Sequence, residues 1–142
     1  MLPPIAATSS RLNRRQLLTE RLAILIWAAT PEHPELCVTP LVHALAARAL
    51  DADVEIHFAG PAVRWLVDGV AEAAYATPKR EKSILVWLQQ VASAGIPMFA
   101  CSMAHAAWIT EAETLIPQYT GAAGATAFVA RTLDAEWRTS VF

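Results

Sequence analysis

A chain of 142 residues with 55% hydrophobic and 17% charged side chains can bury one sizeable core and is too short for two ordinary domains. Its formal net charge of −2 and pI near 6.0 exclude the broad basic field that holds nucleic-acid phosphates. Two cysteines, Cys37 and Cys101, are too few for a disulfide-framed scaffold, so each is either a packed apolar side chain or a working thiol.

Residues 1–20 contain Pro, Ser and Ala without periodicity and form an N-terminal arm, with a short helix predicted from near Ser10. The arm carries Arg11, Arg14 and Arg15 but no long apolar stretch, which argues against a secretory leader and for a cytoplasmic protein. Residues 21–142 form the single domain. The continuous apolar run 22–27 predicts a strand covered on both faces, followed by the Pro-containing loop that leads to Cys37. Residues 41–50 have helical spacing, with Pro40 tolerated in the first turn. Residues 54–59 predict a second strand that stops at Gly60-Pro61, and a short helix is expected over 62–68. The stretch 70–79 has no clear period. Residues 81–94 place Ile84, Leu85, Leu88, Val91 and Ala92 on one helix face, and Gly95 ends that helix.

The uncharged stretch 83–110 is not a membrane span, because Gln89, Gln90, Gly95 and Pro97 divide it into a helix, a turn and a strand. Its strand, 96–100, delivers Cys101 to the start of a helix that runs through 104–115 with a break near Thr110. Unpaired N–H groups and the positive end of the dipole at a helix N-terminus favour thiolate over thiol, and the thiolate is the nucleophile. A short strand over 116–119, an Ala-rich helix over 120–133 and an edge strand over 137–142 complete the chain.

Strands alternating with helices predict an α/β fold, a single open parallel sheet of about five strands with helices on both faces. The flavodoxin-like order 2-1-3-4-5 would make the first and third strands neighbours. The loops carrying Cys37 and Cys101 would then border one ligand-binding crevice.

The order of these elements, the motif Met98-Phe99-Ala100-Cys101-Ser102-Met103-Ala104-His105-Ala106-Ala107 and the terminal Val141-Phe142 resemble the DsrE/DsrF-like family over residues 22–142. Members are small cytoplasmic α/β proteins, commonly homo- or hetero-oligomers, several of which carry sulfane sulfur as a cysteine persulfide. The resemblance implies that Cys101 is the carrier cysteine after the third strand. It also implies a homo-oligomer, a trimer or hexamer, and a partner protein that donates or accepts sulfur. The helix after the family cysteine often ends in Arg-Gly, whereas Ala107-Trp108-Ile109 stands here, so partner recognition does not carry over.

The expected function is therefore sulfur trafficking through Cys101, as a sulfurtransferase-like enzyme or a stoichiometric carrier. Cys37 is a candidate second carrier or resolving thiol. His105, four residues after Cys101, shares its face on a helix and is a candidate to tune the thiolate. The rival readings are a non-catalytic oligomeric interaction module in which both thiols pack, and a redox protein cycling a Cys37–Cys101 disulfide.

His33, Cys37, Cys101 and His105 have sulfur and imidazole donors suited to zinc, but their spacing is unlike that of paired-ligand knuckles, so no metal is expected. Neither Gly60-Pro61 nor Gly121-Ala122-Ala123-Gly124 is a phosphate-binding fingerprint, so no nucleotide cofactor is expected. The five tryptophans are dispersed as core or subunit contacts, and no nucleic-acid or membrane partner is implied.

Overall fold

The apolar runs form the central strands of a parallel sheet. In a computed structural model that describes residues 20–142, Arg21–Ile26 is β1, Asp53–Phe58 is β2 and Met98–Cys101 is β3. Gly121–Ala123 forms β4 and Trp137–Val141 forms β5. Four α-helices alternate with them among the described residues: α1 (Val38–Ala49), α2 (Ile84–Ser93), α3 (Ser102–Trp108) and α4 (Ala125–Leu133). All pairings are parallel, as expected of strands joined by helical crossovers. The helix predicted from Ser10 lies outside the described residues.

The strand order is β4-β3-β2-β1-β5, which corrects the expected 2-1-3-4-5. Each crossover from β1 to β4 steps one strand in the same direction, so right-handed connections put α1, α2 and α3 on one face. The last connection runs back across the sheet to β5, and α4, packed on β5, β1 and β4, covers the other face. Reversal therefore occurs after β4, and β2 lies between β1 and β3.

Side-chain alternation then separates two layers. Ile24, Ile26, Ile56, Phe58, Met98 and Ala100 are buried against the first three helices, with Leu41 and Ala44 of α1 and Ile84, Leu88 and Val91 of α2. Trp65 is fully buried, and its indole Nε1 donates to the Ala29 carbonyl at 2.6 Å. The intervening residues of the strands face α4. Leu25 is aligned with His57, and His57 with Phe99.

Two local expectations are also corrected. The short helix expected over 62–68 is a 3-10 segment, Gly60–Leu66, that starts and ends two residues earlier, with Gly60 opening it at φ 54°. The fourth strand is not 116–119, because Ile116 N–H bonds to the Leu66 carbonyl and Leu115 bridges Val67. The chain enters the sheet later, where Thr120 N–H donates to the Met98 carbonyl and the Met98 N–H donates to Thr120 Oγ1 at 2.8 Å. Gly121-Ala122-Ala123 presents no apolar alternation, which is why only its pairing with β3 reveals it.

Candidate functional site

The sequence places Cys101 at a strand-to-helix junction, and the backbone explains how it is held there. Gly95 adopts φ 78° beyond the end of α2, a conformation that glycine tolerates, and turns the chain into β3. Cys101 is the last residue of that strand and the N-cap of α3, with φ −58° and ψ 126°, and it is half-buried. Ala123 of β4 lies opposite it in the ladder. Phe99, two residues earlier, touches the His57 ring, which in turn meets Phe128 of α4. By strand alternation the Cys101 side chain is therefore on the α4 side of the sheet.

The helix leaving Cys101 is tied down at its far end. Arg64 donates to both carboxylate oxygens of Glu113, at 3.1 and 2.9 Å, and to the Trp108 carbonyl at 2.8 Å. Glu113 also accepts from the Thr110 N–H at 3.0 Å. The Arg64 guanidinium and the Thr110 N–H hold the Glu113 carboxyl down at about 2, so this clasp is charged at neutral pH.

Cys37 stands in a different setting. It follows a 3-10 turn, Pro34–Leu36, and is the N-cap of α1, in the right-handed helical region at φ −77° and ψ −29°. It has no exposed surface, and burial pushes its thiol up to about 12, so it is a neutral, packed group at physiological pH. Since β2 separates β1 from β3, the two cysteines emerge from strands about two spacings, or roughly 10 Å, apart. The strand adjacency that was expected to bring them to one crevice is absent. Both thiols are free.

His105 is half-buried on α3, and its carbonyl accepts from the Ile109 N–H at the end of that helix. Among the described residues no hydrogen bond joins its ring to Cys101. His33 is exposed, with Nδ1 3.3 Å from Glu35 Oε1. The four-residue Cys and His set does not assemble, and no group of three or more His, Cys, Asp or Glu side chains converges among the described residues.

Sequence reasoning missed a buried charged cluster on the same side of the sheet as Cys101. Glu55 and His57 of β2 are 8% and 5% exposed, and Arg131 of α4 reaches Glu55. The available signal was alternation: once Val54, Ile56 and Phe58 face the core, Glu55 and His57 must share the opposite face, under whatever covers it.

A model of the DsrE/DsrF-like family matches residues 23–136, which is most of the chain. The chain belongs to the DsrE/DsrF-like family. Its fold is similar to that of the YchN protein from E. coli, whose crystal structure superposes with a TM-score of 0.69. The two are 17% identical, and the match covers 87% of this chain and all of the other. At that identity the likeness concerns the fold. No curated protein matches the chain in sequence. For this DsrE-like chain the expected single-domain α/β architecture therefore stands, with the strand order given above. No helix among the described residues is long and apolar enough to cross a membrane.

Proposed function

We propose that this DsrE-like protein is a cytoplasmic sulfur-trafficking protein in which Cys101 carries sulfane sulfur as a persulfide and passes it to a thiol on a partner. The observation that carries the reading is the contrast between the two thiols. Cys101 is half-exposed at the carboxyl end of a central strand, whereas Cys37 is sealed in the core. Topology supports the choice, since ligands of open parallel sheets bind at the carboxyl ends of strands.

The transfer balances without an external oxidant. The Cys101 thiolate attacks the outer sulfur of a donor persulfide; a Cys101 Sγ–S bond forms as the donor S–S bond breaks, and the donor leaves as a thiolate. An acceptor thiolate then attacks the outer sulfur on Cys101, the Sγ–S bond breaks, and the Cys101 thiolate is regenerated. His105, on the helix that Cys101 begins, supplies a second polar group at this end of the sheet. Cys37 has no step in this scheme, because a neutral buried thiol neither attacks nor is reached.

The test is to incubate the reduced protein with polysulfide, remove the excess and map mass additions on peptides. Addition of about 32 Da, one sulfur, confined to Cys101 and lost in Cys101→Ser is expected. Undiminished loading in Cys101→Ser, or no loading at all in the wild type, overturns the assignment. Formation of a Cys37–Cys101 disulfide without added sulfur would instead support a redox protein.

A further inference from the structure

The cations of this chain are unevenly employed. Arg21, Arg64, Arg131 and Arg138 each meet a carboxylate, and Arg48 spends its donors on the Ala52 and Ala94 carbonyls. Lys79, Arg80 and Lys82 meet no carboxylate among the described residues, although every Asp and Glu of the chain lies in that part. They stand in the consecutive positions 79–82 and share them with one acid, Glu81, so a chain of net charge −2 carries a local excess of positive charge.

The loop that bears them is closed and braced. Tyr75 and Ser83 bridge antiparallel, the Ile84 N–H donates to the Ala74 carbonyl at 2.9 Å, and the Arg80 N–H closes a turn onto the Thr77 carbonyl at 3.1 Å. Arg80 holds φ 52°, the left-handed region that a non-glycine residue adopts at a cost. Its guanidinium lies 4.7 Å from the centre of the Tyr75 ring. Lys82 Nζ lies 3.4 Å from the centre of the Trp87 ring and donates to Gln90 Oε1 at 2.6 Å. A ring or an amide steadies a long side chain without cancelling its charge, as a carboxylate would. Cations held in this way lose less freedom when they meet an anion.

Helix formation gains nothing from these charges. The loop leads into Ser83, the N-cap of α2, where the dipole is positive and favours acids. The helix end is not itself an anion site, because the Ile84 and Leu85 amides bond to the Ala74 and Ala71 carbonyls and the Val86 amide to Ser83 Oγ. What a partner meets is the side chains, with Lys79 and Arg80 exposed.

We infer that the loop 75–82 is an electrostatic docking point for an acidic segment of a partner protein. Three cations on one loop, with aromatic rings beside them, suit a short run of Asp and Glu. A nucleic acid needs a longer basic track than a chain of net charge −2 supplies. The loop stands toward the carboxyl end of the sheet, since the chain leaves β2 there and α2 carries it back to Gly95 and the start of β3. Cys101 ends β3 at that same end. That the docked partner is the one exchanging sulfur rests on the carrier reading given above; the docking itself does not.

The test is binding of fluorescein-labelled octaglutamate, followed by fluorescence anisotropy at low salt. It compares wild type with Lys79→Gln/Lys82→Gln and with Arg21→Gln/Arg138→Gln, a control of equal net charge. Wild type and control are expected to bind alike, with affinity falling as salt rises, and the loop variant about fivefold more weakly. No binding by wild type, equal losses in the two variants, or tighter binding of oligouridylate or of anionic vesicles than of octaglutamate overturns the inference. Circular dichroism confirms folding, and Lys79→Gln alone, at an exposed position, decides with about a twofold loss should the double variant misfold. Sulfur transfer from the polysulfide-loaded protein to cysteinyl-octaglutamate and to cysteinyl-octaglutamine separates the two readings. Faster transfer to the acidic acceptor, lost in the loop variant, is expected, and equal rates overturn the link to transfer. A wild type that binds octaglutamate but takes up no sulfur removes the carrier function and leaves the docking loop.

Discussion

At the residue scale the two cysteines differ in their contact with water, and pH should separate them. Cys37 is neutral when folded, its thiol raised from 9.0 to about 12, while an unfolded chain ionises near the lower value. The unfolded state therefore binds fewer protons than the folded state between these limits. The stabilisation from a neutral buried thiol is constant below about pH 9 and is lost as pH rises through 12. Three pH units correspond to at most about 4 kcal/mol. Urea unfolding at pH 7 and pH 10.5 should show a larger alkaline loss in wild type than in Cys37→Ala, with about 2 kcal/mol of difference at the higher pH. Equal losses would mean that water reaches the Cys37 thiol. Cys37→Ala should still load sulfur on Cys101, because the carrier scheme gives Cys37 no step.

At the element scale the position of Cys101 depends on how α2 starts and stops. Ser83 is the N-cap, its Oγ accepting from the Val86 N–H at 3.4 Å, and it is 8% exposed. Ser83→Ala is expected to cost about 1 kcal/mol in chemical denaturation, the usual loss at such a cap. No change in the denaturation midpoint would show that this long bond contributes nothing. At the other end, Gly95 leads through Ile96 and Pro97 directly into β3, so the turn sets where β3, and with it Cys101, enters the sheet. A side chain at this positive φ would strain that turn.

At the scale of the whole molecule one face of the sheet is covered by three helices and the other by a single nine-residue helix. On or beside that second face Val129, Leu133 and Val141 are 50%, 81% and 57% exposed, and Trp27, in line with Leu25 by alternation, is 55% exposed. Large exposed apolar side chains on a thinly covered face suit contact with another copy of the chain. We therefore expect a solution mass by light scattering that is a multiple of the 15.4 kDa protomer, lowered by Val141→Lys. A protomer mass at micromolar concentration would end this expectation.

The sequence by itself determined the local structure. The apolar runs at 22–27, 54–59 and 96–100 become β1, β2 and β3, the helical spacing after Cys37 becomes α1, and Cys101 sits where strand gives way to helix. These are consequences of hydrophobic period and of Gly and Pro placement, which act over a few residues. Tertiary structure alone decided which strands are neighbours, because the backbone ladder between parallel strands is the same whichever two are paired and the side chains of a strand carry no mark of its partner. That order placed β2 between the strands leading to the two thiols, a relation invisible in either local segment. It also decided that Cys37 is sealed, and it brought Arg131 to Glu55 across 76 positions of sequence. Long-range packing makes such pairs, and no spacing in the chain encodes them.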